Sequence, residues 1–280
     1  KLGLDGKDQI EKYGVEPFIE QCKESVWKYE GMWEGFSHTV GFWADMKNPY
    51  VTYHNDYIES EWWALKEIWK KGLLYEGHKI VPYCPRCGTP LSSHEVAQGY
   101  KDVKERSAVV RFKVKGEDAY ILAWTTTPWT LPSNVALCVN PDEDYVKVTS
   151  KGYTYYMAAA LVDTVLGEGA EVLEHYQGKD LEFKEYEPLF PYAEKRIGNK
   201  KAYYVVCDTY VTLTDGTGVV HIAPAFGEDD SKVGHRYDLP FVQLVNEKGE
   251  MTEETPWAGT FCKKADMACL LYTSDAADDG

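Results

Sequence analysis

Six side chains able both to give and to take hydrogen bonds lie within eleven residues of this chain: Thr125, Thr126, Thr127, Thr130, Ser133 and Asn134, in the stretch Trp-Thr-Thr-Thr-Pro-Trp-Thr-Leu-Pro-Ser-Asn that begins at Trp124. Donors and acceptors at that density suit a polyhydroxyl ligand such as a ribose better than a metal or a lone phosphate. The same hydroxyls can instead cap their own backbone. A second polar stretch runs from Gly216 through His221, Ala223 and Pro224 to Gly-Glu-Asp-Asp at residues 227–230. A histidine at a strand end is commonly a satisfied structural residue, and Asp229 or Asp230 after a glycine loop can cap a helix. Cys84 and Cys87, two residues apart beside Gly88, have the spacing of half a zinc knuckle, which needs four ligands in all. His78 and His94 are near in sequence but at unusual offsets. Neither a Ser-His-Asp nor a Cys-His set occurs at recognisable spacing, so any hydrolysis here is expected to use bound water.

The elements that must position these residues can be read from periodicity. Residues 120–123 are an apolar run that reads as a buried strand, and Pro128 and Pro132 make the chain leave it as a fixed irregular loop. From residue 105 the texture is that of strands: Val110, Phe112 and Val114 alternate with Arg111, Lys113 and Lys115, and residues 145–157 are extended. Residues 158–166 predict a short helix ending at Gly167, residues 178–181 a turn, and residues 186–190, 203–207 and 218–222 further strands. Upstream, Phe18, Cys22, Val26, Tyr29 and Trp33 recur every three or four residues as one helix face, with Pro17 near its first turn. A second helix is expected to be capped by Asn55 or Asp56, to bury Ile58, Trp62, Leu65 and Trp69, and to stop at Gly72.

Composition narrows the function classes. The chain has 280 residues, 44% of them hydrophobic, and a net charge of −15. That supports a substantial core and argues against a general nucleic-acid binder, which needs clustered Lys and Arg. Lys195, Arg196, Lys200 and Lys201 form the one dense basic patch and read as a solvated turn. No apolar run approaches membrane-spanning length and no signal sequence opens the chain, so no membrane partner is expected and the cytoplasm is the expected location. Seven cysteines fit a reducing compartment.

Taken together, the threonine stretch and the His/Asp stretch resemble the editing domain of the isoleucyl-tRNA synthetases, class I enzymes in which these two loops face each other across a pocket that hydrolyses mischarged tRNA. The resemblance runs over residues 1–266. Thr127 stands where valyl and leucyl relatives typically carry Arg, which favours the isoleucyl branch. The resemblance implies an α/β plus β-rich chain: a partial class I catalytic body and connecting segment with the half knuckle at 1–104, then an inserted, mixed β-barrel-like editing domain at 105–266. It implies that Thr125, Thr126 and Thr127 hold ribose and ester, that Asp230 rather than Asp229 pairs with the aminoacyl ammonium, and that His221 judges size and positions the substrate. Trp129, Asn134, Ala223 and Asp229 would complete the substrate contacts. The need for such a site is physical: a missing methylene is worth only about 1–3 kcal/mol in an apolar pocket, for which valine against isoleucine is the standard illustration.

The implied partners are the acceptor end of tRNA-Ile and valine and isoleucine as its esters, acting on a monomer. Zinc at Cys84 and Cys87 would need the second cysteine pair that the family carries after the editing insertion. ATP and Mg belong to the full enzyme; neither the His-Ile-Gly-His nor the Lys-Met-Ser-Lys-Ser type motif occurs, so amino-acid activation by this chain alone is not expected. Residues 41–46, an aromatic turn, resemble the synthetase body, although aromatic packing explains them as well. Two other readings are a non-catalytic module binding the tRNA acceptor end, and a valyl-type editing domain acting on Thr-tRNA, disfavoured by Thr127. The opening Lys-Leu-Gly suggests a fragment. Residues 269–279 resemble the translation of a transposon-derived sequencing adapter and show no continuity with what precedes them, so 267–280 are expected to be a non-native tail. Without Asp275, Asp278 and Asp279 the charge would be −12.

Overall fold

Apolar residues spaced by three and four do form helices at the start of the chain: α1 (Lys7–Tyr13), α2 (Val15–Thr39) and α3 (Asn55–Lys70). They appear in a computed structural model that describes residues 2–105 and 107–274 and divides into two units, one ending at His78 and one beginning at Lys79. In the first unit the expected burial does not follow. The stripe on α3 is exposed, with Trp62 68% and Trp69 64% accessible, and Trp33 on α2 is likewise exposed. Helical periodicity names a face; it does not supply the surface that covers it. The cap differs by one residue, His54 occupying the N-cap position without a side-chain hydrogen bond, while the chain turns at Gly72 as expected.

The second unit opens with a two-stranded hairpin, β1 (Tyr83–Cys84) and β2 (Thr89–Pro90), and with α4 (Ser93–Gln98), where Ser92 and Glu95 form a reciprocal capping box. There follow β3 (Ala108–Lys113), β4 (Tyr120–Thr125), β5 (Ala136–Val139), β6 (Asp144–Ser150) and β7 (Tyr153–Ala158). Residues 145–157 are thus a hairpin and not one strand, turning at Lys151 and Gly152, both at positive φ as a tight two-residue hairpin turn requires. The expected short helix is a 3₁₀ turn, Ala159–Leu161, running into α5 (Val162–Leu166). β8 (Glu171–Gln177), the 3₁₀ turn Gly178–Leu181, α6 (Glu194–Ile197), β9 (Tyr204–Cys207), β10 (Val219–Ile222), α7 (Glu228–Arg236) and α8 (Cys262–Ser274) complete the order. Residues 186–190 do not make a strand: Tyr186 contributes only an isolated bridge to Val114.

Eight strands form one mixed sheet in the order β8-β6-β7-β4-β10-β5-β9, with β3 paired to β4. This is the β-rich, mixed architecture that the alternation of residues 110–115 expects. Val110 and Phe112 point into the core while Arg111 and Lys113 lie on the other face. The pairing that matters most for function is β4 with β10, which is parallel, with Val220 opposite Trp124. Two strands in parallel deliver their following loops to the same edge, so the threonine stretch and the His/Asp stretch leave the sheet side by side.

The last helix runs through residue 267 without a break. α8 continues to Ser274 and places Cys262, Ala265 and Cys269, spaced three and four apart, in the core. Residues 275–280, with Asp275, Asp278 and Asp279, lie outside the described residues. No helix among the described residues is long and apolar enough to cross a membrane.

Candidate active site

β4 ends at Thr125, and the chain then tightens into the 3₁₀ turn Pro128–Ser133, with proline at its first position where no N–H is needed. The threonines divide into two kinds. Thr125, Thr127 and Thr130 are tied to one another: the Thr127 N–H donates to Thr125 Oγ1 at 3.0 Å, Thr130 Oγ1 donates to the Thr127 carbonyl at 2.7 Å, and the Thr127 and Thr130 hydroxyls lie 3.3 Å apart. Thr126 is exposed. Self-capping thus accounts for three of the four threonines: bonded hydroxyls set the shape of the loop and Thr126 faces outward.

From the neighbouring strand, His221 is buried, with 6% accessibility, and its Nε2 lies 3.0 Å from Thr130 Oγ1. The single proton of Thr130 is used on the Thr127 carbonyl, so Thr130 accepts from Nε2–H. Nδ1 is left as a lone pair, and no partner for it occurs among the described residues. Burial holds the imidazole pKa down to about 4, so His221 is neutral at pH 7.

Asp230 is the third residue of α7, after the extended N-cap Gly227. A Cβ on Gly227 would lie 2.8 Å from the Asp230 carboxyl carbon, so the glycine is required by close approach. Asp230 Oδ2 accepts the Ala223 N–H at 2.9 Å, and Oδ1 lies 3.4 Å from the Tyr210 hydroxyl, which donates to it. Burial pushes this carboxyl up to about 6, against those hydrogen bonds. Asp229 is a different residue in kind: exposed and paired with Lys232 at 3.0 Å. A recessed carboxylate that is still mostly ionised at pH 7 and has unused lone pairs suits a cation better than does one already paired on the surface.

Trp129 joins the two loops. Its ring meets Phe226 edge-on at 5.0 Å, and its backbone N–H donates to Asp266 Oδ1 of α8 at 3.0 Å. Ala223 is buried, its N–H taken by Asp230 and its carbonyl by the Phe226 N–H. Asn134 is held within the protein at both ends of its amide, donating to the Ala136 carbonyl at 2.8 Å and accepting from the Tyr186 hydroxyl at 2.7 Å. Sequence reading had no route to Tyr210, Phe226 or Asp266, whose roles depend on separations up to 137 residues.

Cys84 and Cys87 stand apart from this site, on the β1–β2 turn. The Cys87 N–H points at Cys84 Sγ, 3.4 Å away, and the Gly88 N–H closes the turn on the Cys84 carbonyl at 2.8 Å. The Cys87 amide, with the Cys87 thiol, lowers the Cys84 pKa, and the hydrogen bond to Cys84 raises that of Cys87. Two thiols fill half a tetrahedral shell, and no group of three or more His, Cys, Asp or Glu side chains able to hold a metal occurs among the described residues. The described residues of this chain alone do not complete a structural zinc site.

Comparison with known proteins adds to the geometry. The sequence profile of tRNA synthetases class I (I, L, M and V) matches residues 1–246. An isoleucine–tRNA ligase of Clostridium acetobutylicum is 60% identical over 277 residues, covering 98% of this chain and 26% of that protein. One from Bacillus thuringiensis (strain Al Hakam) is 52% identical over 274 residues, with 97% and 26% covered. The chain spans about a quarter of the length of these curated relatives (26%). Among solved structures, the crystal structure of GlLeuRS-CP1 superposes with a TM-score of 0.50 at 14% identity over 61% of this chain and 96% of that one, a shared fold.

Proposed function

From the premise that the chain belongs to the class I tRNA synthetases, we propose that it carries the editing site of an isoleucine–tRNA ligase and hydrolyses valine esterified to tRNA-Ile. The observation that carries this reading is the parallel pairing of β4 with β10, which sets the threonine loop and the His/Asp loop on one sheet edge, joined at Thr130 and His221. Asp230 takes the aminoacyl ammonium. Thr125, Thr126 and Thr127 receive the ribose and ester, Thr126 with a free face toward solvent, and Trp129, Ala223 and Asp229 line the approach. Asn134 acts by holding the loop's exit against Tyr186. His221, neutral and fixed, limits side-chain size.

The division of labour follows from the chemistry. An ester carbonyl attacked by water needs its acyl and ribose parts held in place, which is worth more than any single contact. A neutral imidazole brings no positive charge to repel the ammonium held by Asp230, and its ring presents a fixed wall to the amino-acid side chain. Water, oriented by the bound ester and the adjacent hydroxyls, is the nucleophile. The whole protein charges tRNA-Ile with ATP and Mg as a monomer in the cytoplasm, and the zinc half-site at Cys84 and Cys87 is completed by ligands from outside this chain. The test is deacylation of Val-tRNA-Ile, Ile-tRNA-Ile and Thr-tRNA by the full-length protein. Fast loss of valine with isoleucine retained is expected; binding of both esters without hydrolysis would favour the non-catalytic acceptor-end module, and selective loss of threonine from Thr-tRNA the valyl-type site.

A further inference from the structure

We propose that Asp266 is a positioning residue for the editing site, setting the threonine loop from the last helix; the inference rests on the editing function proposed above. Pro128 opens the 3₁₀ turn without an N–H, so Trp129 supplies the turn's first amide, and the first amides of a helical turn have no acceptor within it. Asp266 Oδ1 supplies one at 3.0 Å. The carboxylate is itself held firmly, because Cys262, Ala265 and Cys269 bury the same helix in the core on either side of it.

What is fixed by that bond reaches both halves of the site. The Trp129 ring packs edge-on against Phe226 in the loop leading to Asp230, so the placing of the Trp129 backbone sets the separation of the two loops. The next residue, Thr130, is the one that receives the His221 imidazole at 3.0 Å. Asp266 touches no substrate position. It acts through Trp129, and its effect belongs to the geometry in which the ester is held and not to the affinity for tRNA.

The experiment compares Asp266→Ala and Asp266→Asn in the full-length protein, using Val-tRNA-Ile as substrate and selective ¹⁵N-tryptophan labelling for the Trp129 amide. Asn keeps an acceptor oxygen at the same place. Asp266→Ala is expected to lower kcat by about tenfold or more with KM for the tRNA unchanged, as loss of one hydrogen bond to a charged group implies, and Asp266→Asn to restore kcat to within about twofold. The Trp129 amide proton should move upfield in the Ala variant and return in the Asn variant. Wild-type kcat in folded Asp266→Ala, an Asn variant as slow as Ala, or an unmoved Trp129 resonance would each overturn the proposal. Absence of hydrolysis by the wild type would instead remove the editing function, while the resonance still reports whether Asp266 sets the loop.

Discussion

The two loops that share the edge of the sheet are built on opposite principles. The threonine loop is made of neutral groups bonded to one another, with Thr125, Thr127 and Thr130 closing a small network whose geometry does not depend on pH. The stretch from β10 through its loop into α7 holds the two strongly shifted ionisable groups of the site, and burial shifts them in opposite senses: His221 down to about 4 and Asp230 up to about 6. One loop supplies shape and the other supplies charge. A direct side-chain bond between them, Thr130 to His221, makes the neutral network the support of the titrating one.

The largest effect that can break this contrast is the pH dependence of stability. His221 has a folded pKa of about 4 against 6.5, so the folded state binds fewer protons between those values and stability rises with pH there. Asp230 has a folded pKa of about 6 against 3.8, so the folded state binds more protons and stability falls as pH rises through the same window. At about 1.4 kcal/mol per pKa unit, each contributes on the order of 3 kcal/mol and the two nearly cancel. Urea unfolding from pH 4 to pH 7 should therefore give Asp230→Asn a rising stability, His221→Gln a falling one, and the wild type a flatter profile than either. Parallel profiles for all three would mean that the loops do not differ as described.

Next in size is the bond between the loops. Thr130→Val leaves the His221 N–H buried without an acceptor, a loss of about 1–3 kcal/mol by thermal or urea denaturation, whereas exposed Thr126→Ala should change stability by less than about 0.5 kcal/mol. Equal losses would erase the distinction between bonded and outward threonines. His221→Ala should enlarge the side-chain space, so that Ile-tRNA-Ile begins to be hydrolysed and the valine-to-isoleucine rate ratio falls by about tenfold, within the range a methylene is worth. The smallest effect is expected from Thr126 and Thr127 changed together to Ala: a several-fold slower deacylation, with unchanged circular dichroism, as one or two hydrogen bonds of about 1 kcal/mol are lost.

Much of this was legible in the sequence, for reasons that also explain the remainder. Alternation at residues 110–115 and the apolar run before Thr125 gave the strands, because a period of two needs only local information. The choice of Asp230 over Asp229 came from family resemblance, and the structure adds the physical difference between a recessed carboxyl and one paired with Lys232. The turn that divides the extended stretch at residues 145–157 leaves no clear local signal, because Lys151 takes a positive φ more usual for Gly or Asn. The exposed face of α3 and the Asp266 contact were beyond reach for a common reason. Both depend on what lies opposite an element in space, and periodicity carries no record of that.

The central claim, that Asp230 acts on the substrate's ammonium, is tested most directly by changing both partners. The measurement is the deacylation rate of tRNA-Ile carrying valine and of the same tRNA carrying the deaminated isovaleryl ester, with wild-type and Asp230→Ala protein. Loss of an interaction between charged groups, about 1.5–3 kcal/mol, should slow the valyl ester tenfold or more while leaving the isovaleryl ester unchanged. Equal slowing of both esters, or a folded Asp230→Ala that hydrolyses the valyl ester at the wild-type rate, would contradict the assignment.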